Sequence, residues 1–222
     1  MRKLLEIGGL VAAVVLIAFG AVAIFMGVTG HSTVRSSIKQ ERIVGSEDMT
    51  PVAIAQSAKA AKLPASISLP TCDVAGKAID TGDRARCFAQ YMRIHTLEAT
   101  GGYTYSEMGR YQAKPNTPKN ELAAGGGTNN GMWAVLANDR PVDNGLRNLW
   151  VTETALTTAL NTSYMADRLS VFGLVMGIAL FLSGIGFGVL ALGGTLRNAD
   201  PAFKLFGARV PESSGRPHAP TV

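Results

Sequence analysis

Two stretches of this chain run uncharged for longer than a buried soluble helix or strand needs. Residues 7–28 (IGGLVAAVVLIAFGAVAIFMGV) and residues 169–192 (LSVFGLVMGIALFLSGIGFGVLAL) contain no Asp, Glu, Lys, Arg or His, and each is long enough to cross a bilayer as a helix. The second run has no break on its upstream side. From Asn144 to the Gly193-Gly194 pair there is no proline and no cluster of turn residues. The pattern predicts one helix of ~49 residues, roughly 70–75 Å long at ~1.5 Å per residue, starting in water and ending in lipid. Its upper half keeps a helical order. Leu146, Leu149, Trp150, Leu156, Leu160 and Tyr164 recur at three- and four-residue spacing. Polar residues stand among them, and Arg147, Asn148, Trp150, Glu153 and Asn161 mark a candidate interaction face.

The intervening chain shows shorter signals. Val34, Ile38 and Val44 carry an apolar period past the first run, enough to extend its helix a few turns. Thr50-Pro51 is an N-cap followed by proline at the first helical position, opening a short alanine-rich helix that stops before Pro64. Residues 64–80 read as a proline-containing loop. A firmer helix follows from Thr81/Asp83, with Cys87, Phe88, Tyr91, Ile94 and Leu97 on one side and Gly101-Gly102 as its end. Thr104 and Glu107 form a capping-box match before a further helical piece, SEMGRYQA, and Thr117-Pro118 marks another start. Glycines 125–127 with Asn129, Asn130 and Gly131 form a loop; MWAVLA (132–137) fits either a strand or a helical turn. Asp143 stands where the long helix needs a cap.

Charge then orients the molecule. The 222 residues hold 21 Lys+Arg and 16 Asp+Glu, a net charge of +5. The two ends carry six of the basic residues (Arg2, Lys3, Arg197, Lys204, Arg209, Arg216) against three acids, which leaves a nearly balanced middle. Basic excess beside membrane runs is the positive-inside pattern, not a nucleic-acid face. It predicts residues 1–6 as a cytoplasmic N-terminus, 7–28 as the first transmembrane helix, 29–168 as an extracytoplasmic domain, 169–192 as the second transmembrane helix and 193–222 as a largely disordered cytoplasmic tail. A cleaved signal peptide is the rival reading of the first run, since Ala21-Val22-Ala23 has a small-x-small form. The apolar run continues past it through Ile24, Phe25 and Met26, which favours an uncleaved anchor in the plasma membrane.

Both cysteines, Cys72 and Cys87, lie in the middle segment, where an extracytoplasmic compartment permits a disulfide. Small residues are also ordered. Gly173, Gly177, Gly184 and Gly188 fall on one helix face in two GxxxG matches, and Gly9, Ala13, Gly20 and Gly27 share a face of the first span. They predict close helix packing, within the chain or between copies.

Signals of chemistry are few. His31, His95 and His218 have no second ligand at metal-binding spacing, and no nucleophile elbow or phosphate loop is present in the sequence. No catalytic, cofactor-binding or metal residues are predicted. Glu153 is the one carboxylate on the threonine- and asparagine-rich face. Asn161-Thr162-Ser163 is a glycosylation sequon in mid-helix, a poor acceptor position.

Two blocks, ATGGYTYSEM (99–108) and DRPVDNGLRNLWVTETALTTALNTSYMADRLSVFGLVMGIALFLSGIGF (139–187), together with the two-span layout, resemble uncharacterised two-pass membrane proteins of high-GC Gram-positive (actinobacterial) genomes. The resemblance covers the middle and second span and implies a membrane protein with an extracytoplasmic helical domain; it supplies no catalytic residues. The cysteine pair is not part of that pattern. The expected fold is therefore mainly α: two transmembrane helices, an α-helical extracytoplasmic domain inserted between them, and a second span continuous with a long ectodomain helix. The expected function is non-enzymatic, through contact with the lipid bilayer and with a further copy or another membrane protein, as a self-assembling or accessory subunit of an envelope complex. The alternative is an extracytoplasmic ligand sensor that lacks its own output domain. An envelope hydrolase or transferase ranks third, for want of a nucleophile–base pair.

Overall fold

The structure is a computed structural model and describes residues 2–193; the expectations for residues 194–222 lie outside the described residues. Four α-helices dominate: α1 (Arg2–Gln40), α2 (Pro51–Ala60), α3 (Gly82–Ala99) and α4 (Gly145–Leu192). The fold is mainly helical, and α1 and α4 are both long and apolar enough to cross a membrane. The first helix runs beyond the uncharged stretch to Gln40, as the Val34/Ile38 spacing predicts. The second continues unbroken for 48 residues, as the absence of breakers predicts.

Two compact units can be described. In the first, the chain before Val22 lies antiparallel to the chain after Gly177. Small residues set the approach. A methyl group added at Gly184 would stand 2.8 Å from the backbone nitrogen of Ile17 and 3.0 Å from the carbonyl oxygen of Ala13. Gly188 faces the Ala13 methyl at 3.7 Å, and Ala13 and Gly20 are buried. Around this seam, Leu4, Leu10, Val14, Phe19, Leu182 and Val189 stay exposed, the surface that lipid covers in a spanning pair.

The second unit, Val22–Gly177, holds the core. Here too α1 and α4 are antiparallel. A methyl at Gly27 would come within 2.8 Å of the Ser170 carbonyl oxygen and the Leu174 amide nitrogen. Gly177 is buried, whereas an added methyl at Gly173 would meet nothing within 4 Å. Gly173 therefore departs from the predicted stripe and takes no part in this contact within the chain. Helix α3 is the centre of the core. Its Phe88, Tyr91, Ile94 and Leu97 pack with Ile38 of α1, Ile54 of α2, Trp150 and Leu160 of α4, and Val74 and Ile79 from the loop before it. Thr50 caps α2 by accepting from the Ala53 amide, with Pro51 at the first position, and Thr81 caps α3 by accepting from Arg84. The loop before α3 is tied to the chain after α1 by bridges Val44 to Ala78 and Gly45 to Ala75.

The domain is less helical than the sequence predicts. Between α1 and α4 only α2 and α3 are α-helical. The capping box at Thr104 forms, with the Glu107 carboxylate accepting from the Thr104 amide at 2.8 Å, but it opens a single turn of 3-10 helix (Tyr105–Glu107). Thr117-Pro118 likewise precedes one turn only (Lys119–Glu121). Isolated bridges organise this layer instead, pairing Tyr111 with both Thr128 and Asp143, and Ala113 with Ala134. The segment at 132–137 divides into a turn (Gly131–Trp133) and a two-residue strand β1 (Leu136–Ala137), which makes an antiparallel hairpin with β2 (Arg140–Pro141). Asn144, not Asp143, caps α4: its side-chain oxygen accepts from the Leu146 amide at 3.2 Å while its side-chain nitrogen donates to the Gly109 carbonyl at 3.0 Å. The cap thus also anchors the bridged layer to the helix.

Candidate functional site

Three parts of the Val22–Gly177 unit meet at Asp167, on the inward side of α4 just before its long apolar run. The carboxylate is 6% exposed. His31 of α1 approaches it with Nδ1 at 2.7 Å from Oδ1, at an angle outside hydrogen-bond geometry. From the other side comes the start of α3. A side chain at Gly82 would lie 2.8 Å from the Asp167 Cβ and 3.1 Å from the Tyr164 Cα, so only glycine admits this approach. The carboxylate is thereby set against the N-terminal turn of a helix, where a negative charge is stabilised. Arg168 pairs with Asp83 one residue further along α3, and the guanidinium groups of Arg86 and Arg168 flank the Tyr164 ring at 4.7 and 5.2 Å. Tyr164 lies half-buried at the foot of the domain, where an amphipathic ring is favoured. The arrangement clamps α1, α3 and α4 at one level.

A second polar cluster joins α2 to α3. Ser57 Oγ donates to Glu98 at 2.5 Å, Glu98 meets His95 Nδ1 at 2.9 Å, and His95 Nε2 points towards Asp48 at 3.6 Å, beyond hydrogen-bond reach. The Ser46 hydroxyl bonds to Asp48 and holds its carboxyl below the usual range; burial opposes this and the His95 charge adds to it. The serine reaches the glutamate directly and not the imidazole. Among the described residues no three His, Cys, Asp or Glu side chains converge as a metal site.

The disulfide predicted from compartment alone is present: Cys72 and Cys87 are bonded, with Cα atoms 6.1 Å apart. It fastens the loop before α3 to the helix's buried face, beside the Tyr91 hydroxyl, which donates to the Cys72 carbonyl at 2.6 Å. Burial, and then the Asp73 charge, push the Tyr91 phenol above its ordinary value.

The candidate face on upper α4 does not hold together as predicted. Trp150 and Glu153 are each 4% exposed and turn into the protein, and Trp150 Nε1 donates to the Tyr103 carbonyl at 2.9 Å. Arg147 is half-buried, its guanidinium 4.1 Å from the Tyr105 ring centre, and only Asn148 and Asn161 are fully outside. The inward stripe is Trp150, Glu153, Leu160 and Asp167, a spacing that mixes charge with bulk. Val151 also stands outside, beside Tyr105 at a shallow hollow that includes Ala155 and Thr158, while Leu146 and Leu149 are exposed on other sides of the helix. Sequence reasoning missed this hollow because the helical stripe it followed runs through Leu146, Leu149 and Trp150 and leaves out Val151. It missed Asp167 because a charge next to a span reads as a simple end marker; the spacing Leu160, Tyr164, Asp167 was the available signal. No protein-family model, curated protein or solved structure matches the chain.

Proposed function

We propose that this is a two-pass membrane protein, with both termini cytoplasmic and residues 29–168 outside, that works without catalysis by contact with other protein. It is an accessory or self-assembling subunit of an envelope complex. The observation that carries the reading is the exposed pair Val151 and Tyr105, which rim a shallow hollow with Ala155 and Thr158. Val151 is 54% exposed, on a part of α4 that bears Arg147, Glu153 and Asp167 and so stands clear of the lipid-length run. Contiguous apolar surface outside lipid marks a contact site. The glycine faces support the same reading by a different route: Gly27, Gly184 and Gly188 are already used within the chain, which leaves the hollow as the surface offered to a partner.

A photo-activated cross-linker at Val151, in native membranes, tests it. The expected result is a discrete adduct, either a doubled chain or one further membrane protein, that is lost in the Ala155→Glu variant, which charges the hollow. A cross-linker at Val151 that captures only lipid or gives no adduct overturns the reading.

A further inference from the structure

A polar groove of about 370 Å³ runs between α3 and α4, lined by Arg86, Gln90 and Arg93 on one wall and Glu153, Thr157 and Asn161 on the other. Glu153 is the unusual member. It is 4% exposed, yet its hydrogen bond is a 3.3 Å contact from the neighbouring Thr154 hydroxyl. No Lys, Arg or His lies within 4.0 Å of it among the described residues. A buried carboxylate without a counter-charge is costly and is retained where something else supplies the charge. Two guanidinium groups stand on the facing wall, beyond 4.0 Å from it, each beside an aromatic ring. Arg93 lies 5.4 Å from the Trp150 ring centre and Arg86 4.7 Å from that of Tyr164. Seven residues apart on α3, they are separated by ~10 Å along the groove.

We propose that this groove binds an amphoteric small molecule of the amino-acid or dipeptide class. Its ammonium group pairs with the Glu153 carboxylate, and its carboxylate is taken by the guanidinium of Arg86 or Arg93, whose planar fork suits that shape. Gln90, Thr157 and Asn161 supply neutral donors and acceptors between the charges. A simple anion would leave Glu153 unmatched, and a simple cation would face two arginines; a ligand with both signs matches Glu153 and one of the arginines. The groove shares only Thr154 with the hollow beside Val151, so this proposal stands whether or not the chain assembles with a partner.

The test is calorimetric titration of the full-length protein in lipid nanodiscs with glycine, glutamate, alanyl-glutamate and alanyl-lysine. At least one of these is expected to bind with a Kd of about 1 mM or tighter, and N-acetylation or carboxyl amidation of that probe weakens binding about tenfold or more. Glu153→Gln and Arg93→Gln are expected to produce the same loss, whereas Asn148→Ala, outside the groove, leaves binding unchanged. Should Glu153→Gln fail to fold by near-ultraviolet circular dichroism, the N-acetylated probe on the unaltered protein decides the same point. Failure of all four probes to bind, or equal binding of the N-acetylated form, overturns the proposal.

Discussion

At the scale of single residues, the domain places polar groups where apolar ones would pack, and satisfies some of them fully. Tyr91 is the clearest case. Its side chain is fully buried against the disulfide, and its phenol is raised by burial and by Asp73. The unfolded chain loses this proton near the ordinary value of ~10, before the folded protein does. The associated stability is therefore complete below pH ~10 and falls as pH rises through the folded value. An alkaline titration followed by tyrosinate absorbance should show one of the five tyrosines ionising late, and Tyr91→Phe should remove that phase. The same variant leaves the Cys72 carbonyl without its donor and should lower stability by about 1 kcal/mol in chemical denaturation. Asp167 is the other informative residue. Asp and Arg before an apolar run mark a membrane boundary, which was legible; that the aspartate turns inward onto the start of α3 was not, because nothing local in the chain announces Gly82 as its neighbour.

At the scale of elements, legibility followed periodicity. The caps of α2 and α3, the apolar side of α3 and the unbroken run of α4 could all be read, since each rests on a local rule that tertiary contacts reinforce. The layer from Tyr103 to Asn144 could not. Its order comes from single bridges between distant residues, such as Tyr111 with Asp143, which leave no period in the sequence. Upper α4 was misread for a related reason: Glu153 and Asp167 sit on the buried stripe and hide its apolar character, while Leu146 and Leu149 lie outside and imitate one. Two predictions belong here. Replacing both cysteines by serine opens a loop with a sequence separation of 15 and should cost ~3 kcal/mol, read as a lower denaturation midpoint that reductant reproduces in the parent protein. Gly184→Leu should force the antiparallel segments apart and destabilise by about 1–3 kcal/mol, whereas Gly173→Leu, which meets open space, should leave the same melting curve unmoved. Equal effects of the two leucines would show that the seam is not set by close approach.

At the scale of the whole molecule, the proposed arrangement across the membrane rests on three features. Two helices are long and apolar enough to span, the disulfide belongs to an oxidising compartment, and the basic excess of the sequence lies at its two ends. The hollow on upper α4 and the groove between α3 and α4 acquire their proposed roles only if residues 29–168 face outwards. Labelling of introduced cysteines with a membrane-impermeant maleimide in intact cells measures this directly. Lys119→Cys, on an exposed turn of the middle domain, should be labelled in intact cells, and Lys3→Cys, at the start of α1, only after the membrane is opened. Labelling of Lys3→Cys in intact cells with Lys119→Cys protected would contradict the account.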